Sequence, residues 1–208
     1  MEKLLIFPFN GNALEAVDCI EGQYELVGFV DDTREKQGSS KCGVPVFDRS
    51  ALEKHKDARV LAVPGSALSY IKRQDYIASL NIDPARFTTV IHPKAAVSKY
   101  VKLGSNCLIM AGVVITSNAQ IGNHVCILPN TVIHHDVMIG DYTLIGCNVA
   151  IAGGIEIGRN CYIGSGTNIM NGISIGDFTL IGLGSNVLKS VAANSKIAGN
   201  PAKEIIKR

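Results

Sequence analysis

Aliphatic residues occupy every sixth position of this chain from Ile91 to Val187, without a single insertion. The position four residues later is small or β-branched in every unit, from Ala95 to Val191. A short fixed period is typical of a solenoid, and a period of six predicts a parallel β-helix. Three units would make one triangular coil, with successive coils stacked about 4.8 Å apart like neighbouring strands.

Residues 1–88 lack this period and alternate apolar runs with helix-like stretches. The apolar runs predict strands at Lys3–Phe9, Tyr24–Val30, Arg59–Val63 and Arg86–Ile91. The stretches between them predict helices at Ala13–Glu21, Arg49–Lys56 and Ala67–Leu80. This order is typical of a small parallel α/β domain with a Rossmann-like sheet. We therefore predict two domains, residues 1–88 and 89–208, with the first covering one end of the β-helix and the tail after Val187 covering the other.

Glycine follows many of the inward aliphatic residues and returns in columns that are three units apart. One column holds Gly104, Gly122, Gly140, Gly158 and Gly176, and a second holds Gly146, Gly164 and Gly182. We expect these glycines to make tight corners, because a residue without Cβ fits there. The third column has no glycine and consists of Thr116, His134, Ala152, Met170 and Leu188.

The glycine-free column stacks three triplets of different chemistry. His134-His135-Asp136 lies between Thr116-Ser117-Asn118 and Ala152-Gly153-Gly154. An imidazole beside a carboxylate can act as a general base, because the carboxylate orients the ring and raises its basicity. The Ala-Gly-Gly triplet would leave room beside the imidazoles. The alternative is a solvated His pair on a surface turn, and we expect His124, in a different column, to lie on the surface.

The charged, cysteine and histidine residues indicate which binding partners and which cellular compartment to expect. The 20 basic and 18 acidic residues give a net charge of +2 without a basic run, which gives no case for nucleic acid or an anionic membrane. The six cysteines form no CxxC pair and the apolar N-terminal run is too short for a signal peptide, so we expect reduced thiols in a cytoplasmic protein. A zinc site would need His124, His134 and His135 to converge across a subunit interface, and we therefore expect no metal.

The first strand of the α/β domain is followed by a loop that could hold a polar ligand. Asn10, Gly11 and Asn12 stand there in place of a GxGxxG fingerprint, which argues against a nicotinamide-dependent oxidoreductase. Gly11 can make the turn, and the next helix can offer its N-terminal amides to an anion. Asp31 and Asp32 close the second strand, where a carboxylate can accept hydrogen bonds from a ribose.

Three segments together resemble a known family. The six-residue repeat with its many Ile-Gly steps is similar to that of the hexapeptide acyltransferases with a left-handed β-helix. The tail Ile197–Lys203 resembles their closing Gly-x-Pro-Ala-Lys/Arg motif. The α/β domain with Phe29-Val30-Asp31-Asp32, together with Ile133-His134-His135-Asp136, resembles one branch of the family. That branch is the sialic acid O-acetyltransferase-like sugar acyltransferases, which include bacterial N-acetyltransferases of nucleotide-linked 4-amino sugars.

The resemblance implies a homotrimer with acetyl-CoA bound between neighbouring prisms and a nucleotide sugar held by residues 1–88. His135 matches the general base and Asp136 the acid that raises its basicity. The positions that match nucleotide-sugar loops are Asn10, Gly11, Asn12, Asp31, Asp32, Pro64 and Gly65. The positions assigned to CoA binding are Gly153, Ser165 and Leu183, together with Leu144, which stands where the family commonly has a His. The family often has His where Asn12 stands and Glu where Asp136 stands, and His134 is an addition.

The expected reaction is direct transfer of acetyl from acetyl-CoA to the amino group of a nucleotide-linked sugar, with UDP as the expected nucleotide. No His-paired cysteine suggests a covalent acyl-enzyme. Two alternatives remain open. One is an O-acetyltransferase of the same fold that acts on a sugar hydroxyl or on sialic acid, and the other is a metal-binding, carbonic-anhydrase-like solenoid. The resemblance points to the synthesis of surface polysaccharide or glycoprotein sugars.

Overall fold

An open four-stranded parallel sheet forms the first unit of the computed structural model, which describes residues 1–38 and 43–205. Its strands lie in the order β3-β2-β1-β4. They are β1 (Glu2–Phe7), β2 (Tyr24–Val30), β3 (Val46–Phe47) and β4 (Arg59–Ala62). The helices are α1 (Gly11–Ile20), α2 (Ser50–Lys54) and α3 (Arg73–Ala78), with 3-10 turns at Arg34–Lys36, Tyr70–Lys72 and Pro84–Arg86. Within residues 1–38 and 43–205, no helix is long and apolar enough to span a membrane.

The strand predicted at Arg86–Ile91 is confirmed only in part: Phe87 forms a single parallel bridge with Val60 of β4, and the amide of Thr88 donates to the oxygen of Val60 (3.1 Å). The fourth strand is instead β3, a two-residue strand too short to give a periodic signal. The Asp83 side chain accepts a hydrogen bond from the amide of Ala85 (2.9 Å), and this cap begins the 3-10 turn Pro84–Arg86. Val90–Ile91 pairs with Leu108–Ile109 and is the first strand of the solenoid.

The second unit is a left-handed parallel β-helix with three faces. The repeat predicts the parallel β-helix, and the family resemblance implies its handedness. The first face contains Val90–Ile91, Leu108–Ile109, Cys126–Ile127, Leu144–Ile145, Tyr162–Ile163, Leu180–Ile181, Lys196–Ala198 and the antiparallel Lys203–Glu204. The second face contains Ala96–Val97, Val114–Ile115, Val132–Ile133, Ala150–Ile151, Asn168–Ile169 and Asn186–Val187. The third face contains Lys102–Leu103, Gln120–Ile121, Met138–Ile139, Glu156–Ile157 and Ser174–Ile175.

In the two-residue strands from Val90–Ile91 to Asn186–Val187, the second residue points into a stacked aliphatic core and the first points outward. The chain turns at three corners, which we name by the faces they join. The first corner joins the first and second faces and contains Ser165. The second joins the second and third faces and contains His135. The third joins the third and first faces and contains His124.

The glycine columns act differently from the expected tight corners. Gly104 and Gly140 do not have a positive φ, but a Cβ on Gly104 would lie 2.5 Å from the oxygen of Gly122 in the next coil. These glycines are needed because the backbones of successive coils approach closely. The left-handed residue of the corner lies two positions later and recurs every six residues from Asn106 to Gly184.

The α/β unit packs against the first face of the β-helix, so the expectation that it covers one end is wrong. Outward side chains such as Leu108, Cys126 and Leu144 form one core with Leu4 of β1 and Ala13 of α1. The outward positions of this face that meet the α/β unit are mostly apolar, and burying them removes that surface from water. At the C-terminal end the tail behaves as expected, because Ile197 and Ala202 pack against the solenoid core.

Candidate active site

His135 and Asp136 form a hydrogen-bonded pair at the second corner. The distance between His135 Nδ1 and Asp136 Oδ2 is 2.8 Å. The hydrogen bond with His135, together with one from Asn118, holds the pKa of the Asp136 carboxyl below its usual range. An ionised carboxylate accepts a hydrogen bond from Nδ1–H, which leaves the Nε2 lone pair of His135 free to take a proton from another molecule.

Asp136 is held from the neighbouring coil. Its Oδ1 accepts a hydrogen bond from Asn118 Nδ2 (3.2 Å), and its amide donates to the oxygen of Ser117 (3.1 Å). Asp136 has φ +59°, in the left-handed region that Asp and Asn tolerate better than most residues. The stacked Asn118 thus orients the carboxylate that in turn orients His135.

Gly153 lies directly under the imidazole of His135. A Cβ built on Gly153 would be 2.6 Å from both Cε1 and Nε2 of the ring. The clearance expected from the Ala-Gly-Gly triplet is therefore occupied by the ring itself. The side chains of His135 and Asp136 remain 64% and 57% exposed, so the pair faces open space at the edge of the prism. A groove of about 750 Å³ follows the adjacent third face, past Met138 and Glu156.

His134 is exposed beside this pair and has no side-chain hydrogen bond among the described residues. Its amide donates to the oxygen of Ile151 (3.0 Å), which continues the ladder of the second face. It therefore differs from His135 in lacking a carboxylate partner, although the two are neighbours in the chain.

The predicted loops of the α/β unit meet at the carboxyl ends of β1 and β4, which are adjacent strands. Asn10 caps α1 by accepting a hydrogen bond from the amide of Ala13 (2.9 Å), and it donates Nδ2 to the oxygen of Val63 (3.2 Å). Gly11 is exposed and Asn12 is half-buried at the first turn of α1, and Pro64 and Gly65 directly follow Val63. The structure thus brings the first and third of these loops together.

Asp31 and Asp32 are both engaged by cations at the end of β2. Asp31 is buried and accepts hydrogen bonds from the amide of Thr33 (2.9 Å) and from Lys36 Nζ (2.9 Å). Burial alone would raise the pKa of Asp31, but the hydrogen bonds from Lys36 and Thr33 bring it below its usual value. Asp32 is exposed and forms a bidentate pair with Arg49, at 2.6 and 2.8 Å.

The four positions assigned to CoA do not cluster within one chain. Gly153 lies at the second corner, whereas Ser165 and Leu183 stack at the first corner. Leu183 is 70% exposed, and Ser165 Oγ accepts a hydrogen bond from the amide of Cys147 (3.0 Å). Leu144 is 3% exposed and packs under the α/β unit, where its side chain is covered.

His124 is not the free surface residue that the sequence suggested. Its ring stacks on Tyr142 at 4.7 Å, and its Nδ1 accepts a hydrogen bond from Asn106 Nδ2 (2.9 Å). Burial is the main cause and the nearby Arg73 the second cause that lower the pKa of His124 to about 4, so the ring is neutral at pH 7. His124 and His135 lie at different corners, and residues 1–38 and 43–205 contain no group of three His, Cys, Asp or Glu side chains that could hold a metal.

Sequence reasoning missed the third corner as a contact surface. Its left-handed positions carry large side chains instead of glycine: Asn106, His124, Tyr142, Asn160 and Phe178. Asn106 pairs with the edge of β4, accepting from the amide of Ala62 (2.7 Å) and donating to its oxygen (2.9 Å). A column of large left-handed residues at one corner was the signal that could have revealed this contact.

Comparisons with known proteins agree with the repeat and with the architecture. A family model described as bacterial transferase hexapeptide (six repeats) matches residues 100–135, 118–153 and 136–171. No curated protein sequence gives a significant match.

Solved structures match the chain over nearly its whole length. PerB from Caulobacter crescentus in complex with CoA and GDP-perosamine is 25% identical, with a TM-score of 0.86 over 99% of this chain and 97% of that one. A His-to-Asn variant of perosamine N-acetyltransferase from the same organism, with the same ligands, is 25% identical, with a TM-score of 0.88 over 100% and 98%. The acetyltransferase domain of PglB from Neisseria gonorrhoeae, with acetyl coenzyme A, shares the fold at 23% identity, with a TM-score of 0.85 over 98% and 99%.

Proposed function

We propose that this chain is an acyltransferase of the hexapeptide-repeat type, and that it transfers the acetyl group of acetyl-CoA to the amino group of a nucleotide-linked amino sugar. The observation that carries the proposal is the His135–Asp136 pair at the open second corner, with Gly153 beneath the ring. The similar perosamine N-acetyltransferase, whose structure holds CoA and GDP-perosamine, supports the substrate class.

The proposed reaction uses His135 as a general base. The sugar amine attacks the thioester carbonyl carbon, and Nε2 of His135 takes the proton that the nitrogen loses as the new N–C bond forms. The C–S bond then breaks, and the leaving thiolate can take that proton from the imidazolium. Asp136 holds the ring by its hydrogen bond to Nδ1. A backbone N–H at Gly153 is the proposed donor to the oxyanion.

The proposed assembly is a homotrimer with the site between two chains. Ser165 and Leu183 lie at the first corner, whereas His135 and Gly153 lie at the second corner of the same prism. If the first corner of one copy faced the second corner of the next, all four would line one cleft. A cyclic arrangement of three prisms repeats that contact three times and closes. Light scattering during gel filtration tests this, and a monomer that is fully active would contradict it.

The proposal does not specify which amino sugar is the acceptor or which nucleotide carries it. The sequence resemblance favours a UDP-linked sugar, whereas the similar perosamine N-acetyltransferase structures hold GDP-perosamine. The Asp31 carboxylate is occupied by Lys36 and Thr33, so we propose that it shapes the nucleotide loop through Lys36.

Release of the CoA thiol from acetyl-CoA tests the proposal directly. The acceptor panel contains UDP-, GDP- and dTDP-linked 4-amino and 3-amino sugars, and free sialic acid. We expect turnover with at least one amino sugar, and the product should carry an amide. Turnover with sialic acid alone would replace the proposal by O-acetylation, and a lack of both turnover and CoA binding would contradict the acyltransferase assignment.

A further inference from the structure

Arg73, the first residue of α3, is the largest fully buried side chain in the described residues, with 1% of its surface exposed. Its guanidinium donates to three backbone carbonyls. These belong to Pro64, to His124 (2.7 Å from Nη2) and to Tyr142 (2.8 Å from Nε). No carboxylate within residues 1–38 and 43–205 forms an ion pair with it.

A buried cation without a counter-ion is costly, and burial lowers the pKa of Arg73. An apolar side chain would avoid that cost but would leave the three carbonyls without this donor. The planar guanidinium, however, presents its donors in a rigid fork that can hold several acceptors at fixed positions. The presence of arginine here therefore argues for a role in placing the three carbonyls.

The three carbonyls come from two units of the protein. Pro64 ends the buried segment that follows β4, whereas His124 and Tyr142 lie at the third corner of successive coils. The chain between these two acceptors, residues 124–142, makes one full coil. That coil carries His135 and Asp136 at its second corner. Arg73 thus joins a loop of the α/β unit to both ends of the coil that bears the proposed base.

The loop on the other side of Arg73 is one of the proposed nucleotide-sugar loops. Gly65 has φ +127°, and a Cβ there would be 3.0 Å from Cγ, Cδ and Nη1 of Arg73, so the loop backbone lies directly on this side chain. Asn10, in the first loop, donates to the oxygen of Val63 in the same segment. Both loops are therefore tied to the position of Arg73.

We infer that Arg73 is a positioning residue that fixes the Pro64–Gly65 loop, and with it the bound nucleotide sugar, relative to the coil that carries His135. The inference rests on the proposed function. It holds whether the sugar reaches His135 of the same chain or of a neighbour, because every subunit of a symmetric assembly has the same internal geometry.

Arg73→Lys and Arg86→Lys form a matched pair of test variants. Arg86 also donates to three backbone carbonyls, those of Ala58, Leu52 and His55, but all three lie within the α/β unit. Both substitutions keep a long side chain that ends in an amine and remove the planar fork. They differ in whether the lost contacts reach the solenoid.

For Arg73→Lys we expect kcat/KM for the amino sugar to fall about tenfold or more, because small displacements of a reacting group are costly. KM for acetyl-CoA should stay within about twofold of wild type. Arg86→Lys should keep both parameters within about twofold, even if its melting temperature falls as much as that of Arg73→Lys. Equal kinetics in the two folded variants would overturn the inference, because Arg73 would then be merely structural.

Hydrogen exchange provides a readout that does not depend on turnover. Amides of residues 65–69 should exchange faster in Arg73→Lys and remain protected in Arg86→Lys. If wild-type protein acetylates no amino sugar, the proposed function fails, whereas unchanged exchange in Arg73→Lys contradicts the positioning role by itself. If Arg73→Lys does not fold, Gly65→Ala tests the same contact, and wild-type kinetics in that variant would contradict the inference.

Discussion

At the scale of single residues, the site depends on three positions that each need a particular chemistry. Asp136 supplies the carboxylate 2.8 Å from Nδ1 of His135, and Gly153 leaves the volume that the ring occupies. The first two residues could be proposed from the sequence, because an adjacent His-Asp pair in a glycine-free column is unusual in this repeat. The sequence also placed the polar triplet that contains Asn118 next to this pair, but it could not show that Asn118 donates to Asp136, because that contact depends on the left-handed backbone of Asp136.

His135→Ala should reduce kcat by about 10²–10⁴-fold, the usual contribution of a general base. The melting temperature should change little, because the side chain is exposed. His134→Ala is the matched control, since it removes an exposed imidazole one residue away that has no carboxylate partner among the described residues. Comparable losses in the two variants, measured by thiol release, would refute the assignment of His135 as the base.

Gly153→Ala should lower activity while leaving the fold intact. The new Cβ would lie 2.6 Å from Nε2 of His135, so the ring must rotate out of its position over residue 153. An imidazole is the mobile end of a side chain and can move without disturbing the core. We expect a loss of about tenfold or more in kcat, because the base is misplaced. Steady-state kinetics with a thermal melt checks this, and wild-type kcat would count against the ring geometry.

At the scale of elements, the hexads fix the solenoid strands because each inward residue must enter the same narrow core. The chain from Ile91 to Val187 is therefore predictable almost residue by residue. The short strand β3 and the 3-10 turn at Pro84–Arg86 were not, since neither is long enough to show a period. The glycine columns were predicted to make tight corners, whereas in the structure they allow the backbones of successive coils to approach closely.

Gly140→Ala should destabilise the solenoid by about 1–3 kcal/mol or more, as overpacking does. A Cβ at residue 140 would be 2.6 Å from the backbone nitrogen of Arg159 in the next coil, which cannot move aside alone. Gly172→Asn is the control: it is left-handed with φ +69°, meets nothing within 4 Å, and takes the residue found at several other corners. Chemical denaturation of both variants measures the difference, and equal stabilities would contradict the close-approach explanation.

At the scale of the whole molecule, the outward residues of each face determine what covers it. The first face presents Leu108, Cys126 and Leu144 and is covered by the α/β unit, whereas the third presents Lys102 and Gln120 and is open. This contrast is present in the sequence and could have placed the α/β unit on a side face. The buried contacts of Arg73 could not be foreseen, because no repeat or motif marks them.

The interface between the two units should weaken in acid. The pKa of His124 falls to about 4 in the folded protein from an unperturbed 6.5, so the unfolded chain binds a proton more readily. Stability should therefore be full above about pH 6.5 and decline as the pH falls towards 4. Melting temperatures at pH 7, 6 and 5 measure this decline, and His124→Asn should flatten it. A variant with the slope of wild type would exclude His124 as the cause.

The third corner also constrains how this protein can vary in length. The α/β unit is attached to successive rungs of the solenoid: Asn106 to Ala62, His124 and Tyr142 to Arg73, Asn160 to the oxygen of Tyr70, and Phe178 to the hydroxyl of Tyr70. The spacing of these contacts along the α/β unit matches the distance between successive coils of the β-helix. An added coil between residues 106 and 178 would move every later coil away from its contact in the α/β unit. A coil added beyond Phe178 would lengthen the prism without disturbing that match.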